Sequence, residues 1–153
     1  MNPVIIDANL LLLLIVGSTN RDYITGHKRL SGYSAADFDV LATAISLYSD
    51  IVLLPHVMAE VSNLVRQTVN PCRAEIQTLL ASLVEVTSEI PVTSLQGVRQ
   101  PPYESLDLTD AAILHRCTVS PGGIHFTLLT ADRDLADVAH SLGCDVLDFE
   151  QLR

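Results

Sequence analysis

Residues 4–17 read VIIDANLLLLLIVG, and the change of character at Asp7 decides the fold class. Val4, Ile5 and Ile6 form a short β-branched apolar run, the pattern of a strand buried on both faces. Asp7 ends it. Ala8 to Val16 is rich in leucine and reads as a helix, with Gly17 predicted to stop it. A buried strand that turns at once into a helix opens a βαβ unit. The apolar run from Leu10 to Val16 is seven residues long, whereas a bilayer crossing needs about 20. No basic segment precedes it, which argues against a signal peptide and for a cytoplasmic protein with no membrane association.

The alternation continues outward. Ser34 suits an N-cap, and Phe38, Leu41, Ala42, Ile45 and Tyr48 recur at helical spacing, which predicts a helix from Ala35 to about Tyr48. Ile51 to Leu54 reads as a second buried strand ended by Pro55, followed by a helix from His56 to Gln67. Asn70 and Pro71 predict the start of another helix, running to about Leu83. Val84 to Thr87 reads as a short strand, and Glu89 to Ser105, with Pro91, Pro101 and Pro102, as loop. Asp107 or Thr109 would cap a short helix ending near Cys117. A turn at Ser120 to Gly123 leads to a strand from Phe126 to Thr130. A helix from Arg133 to Leu142, closed by Gly143, and a last strand at Val146 to Leu147 complete the pattern. Strands alternating with helices predict one α/β domain over residues 1–153: three layers, with a mainly parallel central sheet flanked by helices. Residues 18–33, STNRDYITGHKRLSGY, break the pattern and read as an inserted loop.

Composition limits the function. The chain has 153 residues, 48% of them hydrophobic, and a mean hydropathy of +0.34, enough for a sizeable core. Its formal net charge is −9, which argues against holding nucleic acid by bulk electrostatics. Acids that bind divalent metal would change that balance locally, because each ion brings two positive charges to where a phosphate must sit. Cys72, Cys117 and Cys144 are widely spaced and form no CxxC pair, so they read as reduced, packed thiols.

The placement of the acids suggests such a site. In an open parallel sheet, ligands bind beyond the carboxyl ends of the strands. Asp7 and Asp132 both fall at such ends. Asp110 opens the helix before the second of these strands, and Asp107 lies one turn away. Glu60 sits at the edge of the Val57, Val61 and Leu64 stripe, where a carboxylate is costly unless something satisfies it. Asp7, Asp110 and Asp132 alone would each also suit a helix N-terminus, where negative charge is favoured, and Glu60 alone a snorkelling surface position. Their convergence is what points to a site.

Four segments carry a resemblance: VIIDANLL at 4–11, LLPHVMAEVSNL at 53–64, LDLTDAAIL at 106–114 and TLLTADRDLADVA at 127–139. In this order they resemble the PIN-domain nucleases, among which the small toxin-type proteins are closest in size. The resemblance implies a catalytic, metal-binding set of Asp7, Glu60, Asp110 and Asp132, with Mg²⁺ or Mn²⁺ as cofactor. It places Asn9 and Thr130 as groups that hold the carboxylates, and Asp134 as a secondary acid. Asp107 is not one of the four motif positions. The implied activity is metal-dependent phosphodiester hydrolysis by an endoribonuclease, with RNA as substrate and DNA sharing the same chemistry. The family also implies a toxin paired with an antitoxin protein, and a homodimer. A non-catalytic nucleic-acid-binding or assembly module on the same fold is the alternative reading.

Carboxylate oxygens are hard ligands that suit Mg²⁺ and Mn²⁺. For substrate contact, Arg21, Lys28 and Arg29, with His27 and the interleaved Tyr23 and Tyr33, combine cations with aromatic faces. Two rival chemistries lack a residue. A haloacid-dehalogenase-type phosphatase needs a second Asp where Asn9 stands. A phospho-acceptor signalling domain needs a late lysine, and Lys28 is the chain's single lysine.

Overall fold

The computed structural model describes residues 2–69 and 71–153. The cap expected at Asn70 lies outside them. Strand β1 (Val4–Ile6) leads through Asp7 into helix α1 (Ala8–Thr19). The Asp7 carboxylate caps this helix, accepting from the Leu10 N–H at 3.1 Å. α1 is apolar on nearly every face because it is buried on nearly every face: Leu10 to Leu13, Ile15 and Val16 all lie in the core. Gly17 does not stop it. A Cβ there would collide with the Phe38 ring, so this glycine permits a close helix approach, and α1 runs on to Thr19.

The segment 18–33 is more compact than a loop. Ser18 and Thr19 finish α1, and two 3₁₀ turns follow at Arg21–Tyr23 and Lys28–Leu30. Ile24 and Leu30 are buried in the common core. Helix α2 (Ala35–Ile45) begins with the expected cap, elaborated into a capping box in which the Ser34 and Asp37 side chains each accept the other's backbone N–H.

Strand β2 (Val52–Leu53) precedes helix α3 (Pro55–Val65), which opens on proline, and helix α4 (Cys72–Val86) follows. The strand expected at 84–87 is instead the last turn of α4. Val84 and Val86 face solvent there, while Leu79, Leu80 and Leu83 pack on the core at helical spacing. The third strand is β3 (Ser88–Glu89). Residues 89–105 are more ordered than the loop expected from their prolines. The Ile90 N–H donates to the Leu53 carbonyl at 2.9 Å, and helix α5 (Ser94–Val98) carries a Thr93–Gln96 capping box. Helix α6 (Leu108–Thr118), strand β4 (Thr127–Thr130), helix α7 (Arg133–Ser141) and strand β5 (Asp145–Asp148) complete the chain. Gly143, at φ 80°, closes α7 as expected.

All the strand pairs are parallel. β1 pairs with β4, β4 with β5, and β2 with β3, while a parallel bridge from Val4 to Ile51 joins the two groups. The resulting order is β3-β2-β1-β4-β5, so the chain reverses its direction of growth between β1 and β4. This is the topological switch point, where open α/β sheets form their ligand crevice. The fold is therefore α/β on a parallel sheet. No helix among the described residues is long and apolar enough to cross a membrane.

A carboxylate pocket at the switch point

Asp7 follows β1 and Asp132 follows β4 with one residue between, so the two strands that flank the reversal each deliver an acid to the same edge. α6 brings Asp107 and Asp110 by its N-terminus, and α3 brings Glu60 from its middle. Together with Asn9, Ala8, Thr109 and Ile113 they line one cavity of about 80 Å³, room for a few waters or hydrated ions. The four acids read from the sequence thus meet in one pocket. Asp107 belongs with them, although sequence alone ranked it below Asp110. The signal was the three-residue spacing, which places both on one side of a first helical turn.

Asp7 is only 7% exposed, and three donors satisfy it. Beyond the Leu10 cap on Oδ1, Oδ2 accepts from the Thr130 hydroxyl and from the Ala131 N–H, the latter at 3.2 Å. The same Thr130 oxygen accepts the Asp132 N–H at 3.0 Å. One fully buried hydroxyl therefore couples the first and last acids of the pocket. Asp132 is exposed and caps α7, its Oδ1 accepting from the Leu135 N–H at 3.1 Å. Asp107 caps α6 in the same way, with its Oδ1 on the Asp110 N–H at 2.8 Å. These two carboxylates each commit one oxygen to a helix end and leave the other for the cavity. Asn9 is exposed on the cavity lining. Asp134 is exposed on α7 and does not line the pocket.

The pocket holds more negative charge than it neutralises. Burial pushes the Asp110 carboxyl up to about 7, with the charges of Asp107, Asp132, Glu60 and Asp7 adding to the effect. Burial also raises Asp7 in the metal-free pocket, against the hydrogen bonds from Thr130, Leu10 and Ala131, and Asp132 adds a smaller push upward. Among the described residues no three carboxylates, imidazoles or thiols stand close enough to form a ready-made metal cage. Asp7, Asp107 and Asp132 are instead turned onto backbone donors. An all-oxygen donor set, short of positive charge, still matches the chemistry of a hard divalent cation.

The expected substrate-contact residues separate. Arg21 pairs with Asp39 at 2.6 Å, and the Tyr23 hydroxyl is held on Glu75 at 3.0 and 3.1 Å. Tyr33 packs under the Arg153 guanidinium, 5.0 Å from its ring centroid, and against Phe149. His27 is only 4% exposed and serves the fold. Its Nδ1 accepts the Arg29 N–H at 3.1 Å, so the ring proton lies on Nε2, facing the Leu64 carbonyl at 3.2 Å. Burial, with the Arg29 charge adding, keeps this imidazole below its usual value and neutral. Lys28 and Arg29 remain exposed, away from the carboxylate pocket.

No protein-family model, curated protein or solved structure matches this chain.

Proposed function

We propose that this chain is a three-layer PIN-like domain that hydrolyses phosphodiester bonds in RNA with the help of Mg²⁺ or Mn²⁺. The observation that carries the reading is the convergence of Asp7, Glu60, Asp110 and Asp132 on one cavity at the switch point of a parallel sheet. The order of the sequence motifs supports it independently. Asp7, Asp110, Asp132 and Glu60 are the residues that would hold the metal, with Asp107 beside them. When bound, the ion supplies Lewis-acid polarisation of the phosphate and lowers the pKa of a coordinated water.

The chain's own residues have defined tasks in this scheme. Thr130 fixes the Asp7 carboxylate and orients the backbone at Asp132, holding two ligands in register. Asp110, raised to about 7 without metal, would be held ionised as a ligand once a divalent cation entered beside it. Glu60 presents a further carboxylate from α3, placed to orient water. Asn9 offers an amide at the cavity wall that can donate to a phosphate oxygen.

The test is cleavage of structured and unstructured RNAs by purified protein in EDTA, Mg²⁺ or Mn²⁺, beside Asp7→Asn. Metal-dependent cleavage that falls at least about 100-fold in the variant is expected. A well-folded wild type that binds no Mn²⁺ by calorimetry and cuts no RNA or DNA would refute the reading. Metal binding and RNA binding without cleavage would point to a non-catalytic module.

A further inference from the structure

We infer that the basic turn at Lys28 and Arg29, together with the end of α3, forms a subsite for a backbone phosphate of single-stranded RNA, a short step along the strand from the carboxylate pocket. The inference rests on the nuclease reading and specifies where its substrate runs.

Lys28, Arg29 and Gln67 line an open concavity of their own. Gln67 lies in the turn that continues α3, its N–H donating to the Leu64 carbonyl at 3.1 Å. Glu60 precedes it by seven residues, five of them to the end of α3 at Val65 and the rest through the turn at Arg66 and Gln67. At about 1.5 Å of rise per residue the separation is about 10 Å. An extended single strand covers that gap in about two nucleotides.

The basic turn is tied to α3. His27 uses both ring nitrogens, one on the backbone of Arg29 and the other on the Leu64 carbonyl. This buried imidazole fixes Lys28 and Arg29 beside Gln67. Two more cations stand at the same end of α3. Arg66 caps α3, and the Arg73 guanidinium donates to the Arg66 carbonyl at 3.3 Å. Four of the chain's nine Lys and Arg residues therefore gather at one end of a helix in a protein of net charge −9. Among the described residues the ion pairs involve only Arg21 and Arg153, so none of the four cations is already neutralised by a carboxylate. Two unpaired cations beside a side-chain amide suit a phosphodiester, which offers one negative charge and several acceptor oxygens.

The experiment measures binding of a fluorescein-labelled oligouridylate of about twelve nucleotides by anisotropy across a salt series, with Ca²⁺ in place of Mg²⁺ to slow hydrolysis. Wild type is compared with Lys28→Gln/Arg29→Gln, and with Arg99→Gln as an exposed control elsewhere. One phosphate contact to a single strand contributes about 0.7 to the slope of log K against log salt. The double variant should lose about that much slope, bind about 5-fold more weakly at 0.1 M salt, and converge on wild type toward 1 M. Its Mn²⁺ affinity by calorimetry should match wild type, and Arg99→Gln should keep the wild-type slope. RNA that wild type binds and cleaves, with the slope unchanged in the double variant, overturns the subsite while leaving the nuclease reading intact. Wild type that neither binds nor cleaves RNA overturns both.

Discussion

The crowding around Asp110 makes a prediction about stability that needs no substrate. Its carboxyl is raised from the ordinary 3.8 to about 7, so the folded state holds this proton more tightly than the unfolded chain does. The stabilising contribution is then fully present below about pH 4 and is lost as the pH rises through about 7. For a sealed site the shift would correspond to about 4 kcal/mol. Asp110 is only partly buried, and solvent screens the neighbouring charges, so about 2 kcal/mol is the working figure. Asp110→Asn keeps the shape and the backbone N–H bonded to Asp107 but carries no charge at any pH. It should raise the melting temperature by roughly 4–8 °C at pH 8 and by no more than about half as much at pH 4.5.

Thermal melts in EDTA at the two pH values, for wild type and variant, measure this directly. The other acids respond to pH in both proteins, so the difference between the curves isolates Asp110. A gain of equal size at both pH values would mean that the substitution acts through packing or helix propensity. A loss at pH 8 would mean that the charged carboxylate is stabilised where it stands, and either result refutes the crowding argument. On the metal reading, Mg²⁺ at pH 8 should narrow the gap by stabilising wild type more than the variant.

Three further substitutions test the scaffold and the site. Thr130→Val suits the strand but deletes the hydroxyl shared by Asp7 and Asp132; it should cost about 2 kcal/mol by thermal melts and lower RNA cleavage, and wild-type stability would show that the two acids do not depend on it. Gly17→Ala pushes a methyl into the Phe38 ring and should cost about 1–3 kcal/mol by denaturant titration, part of it recovered by Phe38→Leu; a neutral result would mean that the α1–α2 contact yields freely. Asp7→Asn can keep an oxygen for the Thr130 and Ala131 donors but then turns an amide toward the Leu10 N–H, so a modest fall in melting temperature should accompany the loss of metal-dependent cleavage, and loss of cleavage with an unfolded protein would leave Asp7 as a structural residue.

The elements that were legible in the sequence are those whose local pattern agrees with their burial. Val4 to Ile6 is a continuous apolar run, and Phe126 to Thr130 is made of strand-favouring residues, because both lie buried in a parallel sheet. Ser34, Asp107 and Gly143 carry the chemistry of helix ends. The misread elements are those where a long-range contact overrides a local signal. Gly17 suggests a stop, but it is small because Phe38 crosses there. Val84 and Val86 alternate like a strand, but α4 carries them on its exposed side. The prolines near residues 91–102 suggest loop, yet α5 forms within that stretch and packs on α6 next to Gly97, where a Cβ would stand 2.7 Å from Leu108. The site was legible because acids at strand ends and helix N-termini have few neighbours to choose from. The separation of Arg21 from Lys28 and Arg29 was not, because it depends on Asp39, whose proximity only the folded chain creates.

The distribution of charge bears on how an acidic chain could act on a polyanion. Interleaved acids and bases would pair and cancel, leaving neither a metal-binding pocket nor a phosphate-binding patch. Here the two are divided along α3: carboxylates gather around Glu60 at the switch point, and unpaired cations gather past Val65. Their spacing of about 10 Å is close to the Debye length of about 8 Å at physiological salt. Each region therefore keeps most of its own potential, and the cations do not erase the negative potential that adds to burial in raising Asp110. A strand drawn to the basic end would bring its next phosphates toward a pocket that still repels them until divalent ions enter. Substrate engagement would then depend on metal through electrostatics alone, before any chemistry, so RNA affinity should rise with Ca²⁺ in wild type and much less in Asp7→Asn.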